Sequence, residues 1–185
     1  MLGKHNVLNC LAAIAVAKIL NIKTISIRNA FKKFKGIKRR FTLIATIDGV
    51  KIFDDYAHHP EEIKSTLGLV KILKPKRIIV IFQPHRYSRF NFLYKDFLKI
   101  LKDCNKLIVT DIYAAGEKKI SSLSKEKFVK DINKMKKNLA FPLKKISDLS
   151  KIIKKNTSRG DIVIFIGAGD ISKLAHDLPN QMRKK

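Results

Sequence analysis

Positions 54–59 read Asp-Asp-Tyr-Ala-His-His, two acids, a tyrosine and two histidines within six residues. Side chains of these types can hydrogen-bond a polar ligand and carry protons near neutral pH, so the stretch is a candidate for binding chemistry. Its flanks say where it stands. Residues 50–53 are apolar and β-prone, Pro60 occupies a first helical position that tolerates proline, and Glu61 and Glu62 fall in the first turn, where the helix dipole favours acids. The stretch is therefore a strand-loop-helix corner. In an open parallel sheet such corners lie at the carboxyl ends of the strands, where ligands bind. A merely solvated turn would draw on Gly, Asn, Ser and Pro instead.

Three further polar clusters each follow an apolar run: Gln83-Pro84-His85-Arg86-Tyr87-Ser88-Arg89, residues 111–117 with Asp111, Tyr113 and Glu117, and Gly167-Ala168-Gly169-Asp170. If the runs are parallel strands, all four clusters share one sheet edge and assemble one site. Arg86 and Arg89 suit a carboxylate clamp, and the alternative for them is surface salt bridging. A crowded mixture of cations, acids and imidazoles fits a small zwitterion beside a phosphorylated partner. His58, His59 and His85 with Asp54 are a weaker candidate for metal, because adjacent histidines point apart and no His-x-x-x-His spacing occurs. Gly167-Ala168-Gly169 is part of a dinucleotide fingerprint but reads better as a tight turn. Ser88 lacks a nucleophile-elbow context, and no Walker A sequence is present.

The elements that must position these clusters follow from periodicity. Residues 6–20 predict an alanine-rich helix, and Thr24 is placed to cap a second through 31. The basic link 32–40, with Gly36, reads as a hinge. Residues 41–47 and 50–53 flank Asp48-Gly49, a favoured hairpin turn. Helices are predicted over 61–73, 90–101, 124–135, 149–155 and 171–178, and strands over 77–82, 106–110, 142–146 and 161–166. Continuous apolar strands alternating with helices predict an α/β fold with a mostly parallel sheet covered on both faces.

Composition sets bounds. The chain has 185 residues, 45% of them hydrophobic, enough for one domain with a core or one domain plus an appendage. Cys10 and Cys104 fit neither a metal spacing nor a disulfide framework, which points to a reducing compartment. The net charge of +25 first suggests nucleic acid. Yet the lysines run through every segment with no aromatic stripe beside them, so no specific nucleic-acid partner is expected. The apolar run 11–17 is broken by Lys18 and lacks a cleavage region, so neither export nor a membrane span is expected, and the cytoplasm is the predicted location.

At these motifs the chain resembles the C-terminal portion of the Mur ligases. The resemblance rests on Gly3-Lys4-His5-Asn6-Val7-Leu8-Asn9 with the helix after it, on residues 34–41 with Gly36 and Arg39-Arg40, and on the clusters at 54–60, 83–89, 111–117 and 167–170, in that order and spacing. It implies a Rossmann-like domain over 37–185, preceded at 1–36 by the helical end of the central ATPase domain. It implies an ATP- and Mg²⁺-dependent ligase that joins L-alanine to UDP-N-acetylmuramate through an acyl phosphate; a muropeptide-recycling ligase is the alternative within the family, and a non-catalytic or nucleic-acid-associated remnant the alternative outside it. By resemblance, His5, Asn6 and Asn9 border the adenine, Arg39 or Arg40 approaches the phosphates and Asp54 bonds the ribose. Tyr56, His58, His85, Arg86 and Arg89 would surround L-alanine. The family's UDP-sugar domain, P-loop and Mg²⁺ ligands have no counterpart in this sequence. The expectation is of a fragment, a split-gene product or a truncated piece, inactive alone and with no catalytic residue confirmed in it; a separate chain is one source for the other domains.

Overall fold

The computed structural model describes residues 4–34 and 36–183, with the backbone alone for Lys4 and His5. The chain divides into two compact units, Met1–Lys38 and Arg39–Lys185.

In the first unit α1 (Lys4–Ile19) and α2 (Thr24–Lys33) are joined by a tight turn. Asn21 takes a left-handed conformation there (φ 56°), which asparagine tolerates better than most residues. Thr24 does not cap α2. Lys23 precedes the helix without a side-chain bond, and the Thr24 hydroxyl instead accepts from Lys18 Nζ at 2.7 Å. Val7, Leu8, Leu11, Val16 and Ile19 on α1 are exposed.

The second unit is built on six strands in the order β1-β2-β6-β3-β4-β5. β1 (Thr42–Ile47) and β2 (Val50–Asp55) form the antiparallel hairpin that Asp48-Gly49 predicts, with φ of 50° and 77° at those two positions. A side chain at Gly49 would also run into Arg159. The other strands, β3 (Ile78–Phe82), β4 (Lys106–Val109), β5 (Ala140–Pro142) and β6 (Ile162–Ile166), run parallel with β2. β3 and β6 are buried at every position, as their uninterrupted apolar sequences require. Their side chains alternate between two cores. One is shared with α3 (Pro60–Ile72), α4 (Tyr87–Phe92), α5 (Tyr94–Leu101) and α6 (Lys125–Met135); the other with α7 (Leu149–Asn156) and α8 (Ile171–Arg183).

Three predicted elements change. The helix expected over 90–101 is two, broken at Leu93 (φ −103°, ψ 18°). Seven residues of unbroken helix would set Phe90 and Phe97 about 10 Å apart along the axis. The break brings their rings to 5.6 Å and lets both pack on Phe82. The strand expected over 142–146 lies at 140–142, where Pro142, lacking an N–H, ends an edge strand. Finally, α8 runs through Pro179 to Arg183 rather than stopping at 178, because burial of Leu178 and Met182 outweighs the hydrogen bond that proline removes.

Candidate functional site

The four polar clusters all leave the carboxyl ends of parallel strands, from β2, β3, β4 and β6. The chain leaving β2, β3 and β4 passes to helices on one face, whereas the chain leaving β6 enters α8 on the other. Connections that part to opposite faces open a crevice at the end of β6.

The β2 corner holds two acids with opposite orientations. Asp55 points toward α3 and is a framework residue. Its Oδ1 accepts from Ala57 N at 2.8 Å and Thr66 Oγ1 at 3.1 Å, and its Oδ2 from Phe41 N at 2.7 Å. Burial pushes its carboxyl up, against the pull of those bonds. Asp54 faces α8 and is fully buried. Its Oδ2 accepts from Ser172 Oγ at 2.5 Å and lies 3.9 Å from both Arg39 Nε and His176 Nε2. Its Oδ1 is buried without a hydrogen-bond partner, as is Arg39 Nε.

Arg39 closes this side. It adopts φ 60°, its carbonyl accepts from Tyr56 N at 2.7 Å, and its guanidinium lies 4.6 Å from the Tyr56 ring centre. Arg39 Nη2 donates to the carbonyls of Gly167 and Gly169 at 3.0 and 3.1 Å. Arg40 is exposed, and its charge favours ionisation of Asp55 and Glu62.

From Tyr56 a row of rings crosses the crevice. Tyr56 meets His58 edge-on at 5.2 Å, His58 lies 5.8 Å from His85, and His85 stacks on Tyr113 at 5.4 Å. His58 Nδ1 donates to Tyr56 O at 2.9 Å, and its backbone N–H donates to Glu62 Oε2 at 2.9 Å. Burial opposes the charge on Glu62, but the bond from the His58 amide and the His58 ring carry its carboxyl below the usual range. His59 turns outward and caps α3, accepting from Glu61 N at 3.4 Å, so the adjacent histidines do part. Burial, then the charges of Arg89, His58 and Arg86, push the His85 ring below its ordinary pKa. Arg89 Nη1 lies 3.3 Å from His85 Nδ1. An arginine can only donate, so in the neutral ring Nδ1 accepts and the proton sits on Nε2.

The two arginines expected to pair take different partners. Arg89 engages His85, while Arg86, half exposed, stands 4.0 Å from Glu117. Glu117 also accepts from Ser88 N at 2.9 Å and Ser88 Oγ at 2.6 Å, bonds that hold its carboxyl below the usual range. Asp111 is bound by Lys125, whose Nζ reaches it at 2.9 Å and Leu143 O at 2.8 Å. The Gly167–Gly169 segment is the tight turn its sequence suggests, and a side chain at Gly169 would collide with Tyr113. His5, Asn6 and Asn9 lie on α1 in the other unit, and the His5 side chain is outside the described residues. Among the described residues no three His, Cys, Asp or Glu side chains converge in a metal-binding geometry, and no helix is long and apolar enough to cross a membrane.

Sequence reasoning missed Ser172 and His176, which reach Asp54 from α8, and left Tyr113 and Glu117 without roles. The signal for the first pair was their i,i+4 spacing directly after a strand-ending turn.

Comparisons with known proteins match most of the chain. The pattern of the Mur ligase, glutamate ligase domain matches residues 39–169. The UDP-N-acetylmuramate--L-alanine ligase of Rickettsia bellii is 45% identical over 183 residues, covering 97% of this chain and 38% of the relative. That of Rickettsia felis is 44% identical over 187 residues, covering 99% and 39%. Among solved structures, the UDP-N-acetylmuramate-alanine ligase MurC of Thermotoga maritima aligns with TM-score 0.77 and 31% identity over 98% of this chain and 38% of its own. A murein peptide ligase from Psychrobacter arcticus shares the fold at 24% identity, with TM-score 0.73 over 100% of this chain and 38% of its own. The chain thus spans about two fifths of the length of these relatives.

Proposed function

The chain belongs to the Mur ligase family, and on that premise we propose that it is the C-terminal part of an ATP-dependent ligase that joins L-alanine to UDP-N-acetylmuramate through an acyl phosphate in peptidoglycan synthesis, in the cytoplasm. The observation that carries the reading is the row Tyr56, His58, His85 and Tyr113 with Arg86 and Arg89 beside it, in a chain 45% identical to an alanine ligase. These side chains form the amino-acid subsite. Arg86 and Arg89 hold the carboxylate of alanine, and the Nε2 proton of neutral His85 offers a further donor to it. Tyr56 and His58 would face its methyl group. Fixing both ends of so small a substrate orients its amine for attack, a contribution of position rather than of proton transfer.

On the nucleotide side, the unpartnered, buried Asp54 Oδ1 is an acceptor that a ribose hydroxyl would satisfy once Arg39 lifts from it. Exposed Arg40 suits the phosphates better than Arg39, whose fork is already engaged. ATP with Mg²⁺ would supply the phosphoryl group that activates the muramyl carboxylate, and we assign the metal's ligands to the central domain. Residues 1–36 are read as the end of that domain, with His5, Asn6 and Asn9 on its adenine side, and 37–185 as the C-terminal domain. A helix as apolar on all sides as α1 suits the interior of a larger body. The remaining domains, on the same or a separate chain, are its partners.

Steady-state kinetics of a complete ligase built around this domain test the reading. Arg86→Ala or Arg89→Ala should raise the alanine requirement about 10- to 150-fold, the equivalent of one charge-assisted bond, and leave that for ATP unchanged. Asp54→Ala should do the reverse, and Tyr56→Phe should be the mildest. An Arg86→Ala enzyme with normal alanine dependence would show the pocket to be misplaced. The chain alone should release no phosphate above background from ATP, UDP-N-acetylmuramate and alanine.

A further inference from the structure

Arg86 holds an uncommon backbone conformation. Its φ of 67° with ψ of 129° is a conformation that residues with a side chain rarely take, and it occurs immediately before α4. Strained backbone persists only where the surroundings hold it. Here two loops do so. The chain after β3 and the chain after β4 run side by side beyond the sheet, with Arg86 N donating to Tyr113 O at 2.8 Å and Tyr113 N to Pro84 O at 2.8 Å, while the rings of His85 and Tyr113 stack.

The remaining fastening is Glu117. One carboxylate oxygen accepts from Ser88 N and the other from Ser88 Oγ, and the second lies 4.0 Å from Arg86 Nη1. Glu117 thereby ties the start of α4 to the β4 loop from 29 residues away in sequence. Its charge also lies beside the half-exposed Arg86 guanidinium. We propose that Glu117 is a positioning residue for the amino-acid subsite, holding Arg86 in its strained conformation and, through α4, aiming Arg89 one turn further on. The proposal deepens the reading given above and rests on it for the identity of the ligand, L-alanine, but the positioning itself is a property of this chain.

The geometry separates two contributions. The bonds to Ser88 fix the backbone, and the charge restrains the Arg86 guanidinium. Glutamine keeps an oxygen for the Ser88 amide and an amide group beside the hydroxyl but loses the charge; alanine loses both. NMR of the isotope-labelled full chain distinguishes them. Glu117→Ala should change the Arg86 HN–Hα coupling, shift Ser88 and Arg89 and weaken the contacts between the His85 and Tyr113 rings, while β6 and α8 keep their signals. Glu117→Gln should restore the coupling and the ring contacts and leave the Arg86 guanidinium shifted as in the alanine variant. Should Glu117→Ala disorder the unit, Ser88→Ala removes only the hydroxyl half of the fastening and should move the same signals less.

Titration with L-alanine then reads the consequence. The wild-type chain should show shifts at the Arg86 and Arg89 guanidinium groups, and Glu117→Ala should need about 10-fold more alanine for the same change. An Arg86 coupling unaltered in both Glu117→Ala and Ser88→Ala overturns the proposal, as does an alanine titration unaltered by Glu117→Ala. Arg86 moving in Glu117→Ala while alanine never perturbs the wild-type arginines would retain the positioning role and overturn the alanine subsite instead.

Discussion

Replacing Arg39 by alanine tests whether one side chain holds the β2 and β6 corners together. The backbone bond from Tyr56 N to the Arg39 carbonyl survives the change, and alanine inherits the same left-handed φ, so only side-chain interactions are lost. Two of these are bonds from Nη2 to the carbonyls of Gly167 and Gly169. Charge-assisted bonds reach about 1.5 to 3 kcal/mol, but this side chain is 30% exposed, and solvent brings each nearer to ~1 kcal/mol. Loss of the cation over the Tyr56 ring costs ~0.5 to 1 kcal/mol. Asp54, with no exposed surface, is left without the cation 3.9 Å away, which costs a further ~1 kcal/mol or more. The expected loss is about 3 to 4 kcal/mol, read as a fall in the urea midpoint of the second unit by near- and far-ultraviolet circular dichroism. Arg39→Lys keeps the charge but not the fork, and should recover less than half. Adding Asp54→Asn to Arg39→Ala should return about 1 kcal/mol, because the uncompensated carboxylate is gone. A loss below about 1 kcal/mol, or an Asp54→Asn effect identical in both backgrounds, would show that Arg39 merely lies over the corner.

At the other edge of the sheet Arg77 grips Asp161 through Nη2 at 2.6 Å and Nε at 3.2 Å. Burial opposes the charge on Asp161, but these bonds and those from Ser158 carry its carboxyl below the ordinary value of 3.8. A depressed folded-state pKa gives stability that is present above about pH 4 and is lost as pH falls through the folded value, so Asp161→Asn should flatten the acid limb of the stability curve and cost about 1 to 2 kcal/mol at pH 7; an unchanged limb would show the pair to be idle. Burial pushes the Cys104 thiol up to about 12, whereas Cys10 is half buried, so iodoacetamide at pH 8 should label Cys10 in the folded chain and reach Cys104 only in urea. Peptide mapping after alkylation checks this, and a folded chain labelled at Cys104 would contradict it. The charge of +25 should give only salt-sensitive association with duplex DNA, falling by orders of magnitude between ~50 and ~200 mM salt; sequence-selective binding that survives the higher salt would argue against bystander charge.

What could be read from sequence was whatever a short range of residues decides. β3 and β6 were legible because five consecutive apolar residues buried on both faces leave a parallel strand as the economical answer. The hairpin was legible because Asp-Gly suits the two left-handed positions its turn requires. The four corners followed, since parallel strands put all their carboxyl ends at one edge. Features decided at long range were not legible. The break at Leu93 exists so that two phenylalanines can meet Phe82, and α8 passes Pro179 because of what Leu178 and Met182 bury beyond it. Within the site, the separation of Asp54 from Asp55 follows from strand alternation, but the hydroxyl that bonds Asp54 comes from Ser172 on α8, 118 residues away. Arg86 and Arg89 look like one clamp in sequence. In the fold each answers to a different neighbour, His85 for Arg89 and Glu117 for Arg86.

That division shows how the site is held. Arg39 joins the β2 corner to the β6 turn through Tyr56, Asp54, Gly167 and Gly169, and of these Asp54 is assigned to nucleotide and Tyr56 to alanine. Glu117 and Tyr113 join the β3 corner to the β4 loop on the side assigned to alanine. The row of rings from Tyr56 to Tyr113 lies between the two fastenings, and Gly169, with no room for a side chain against Tyr113, brings the β6 turn up to the alanine side. A ligand that lifted Arg39 from Asp54 would release the cation above Tyr56, the first ring of that row. A change at Glu117 would act on the row from its other end, through His85 and Tyr113. Nucleotide and amino acid would therefore sense one another through Tyr56, His58 and His85, and His58, which bonds the Tyr56 carbonyl and faces the His85 ring, is where substitution should change their mutual dependence most, along with the alanine requirement itself.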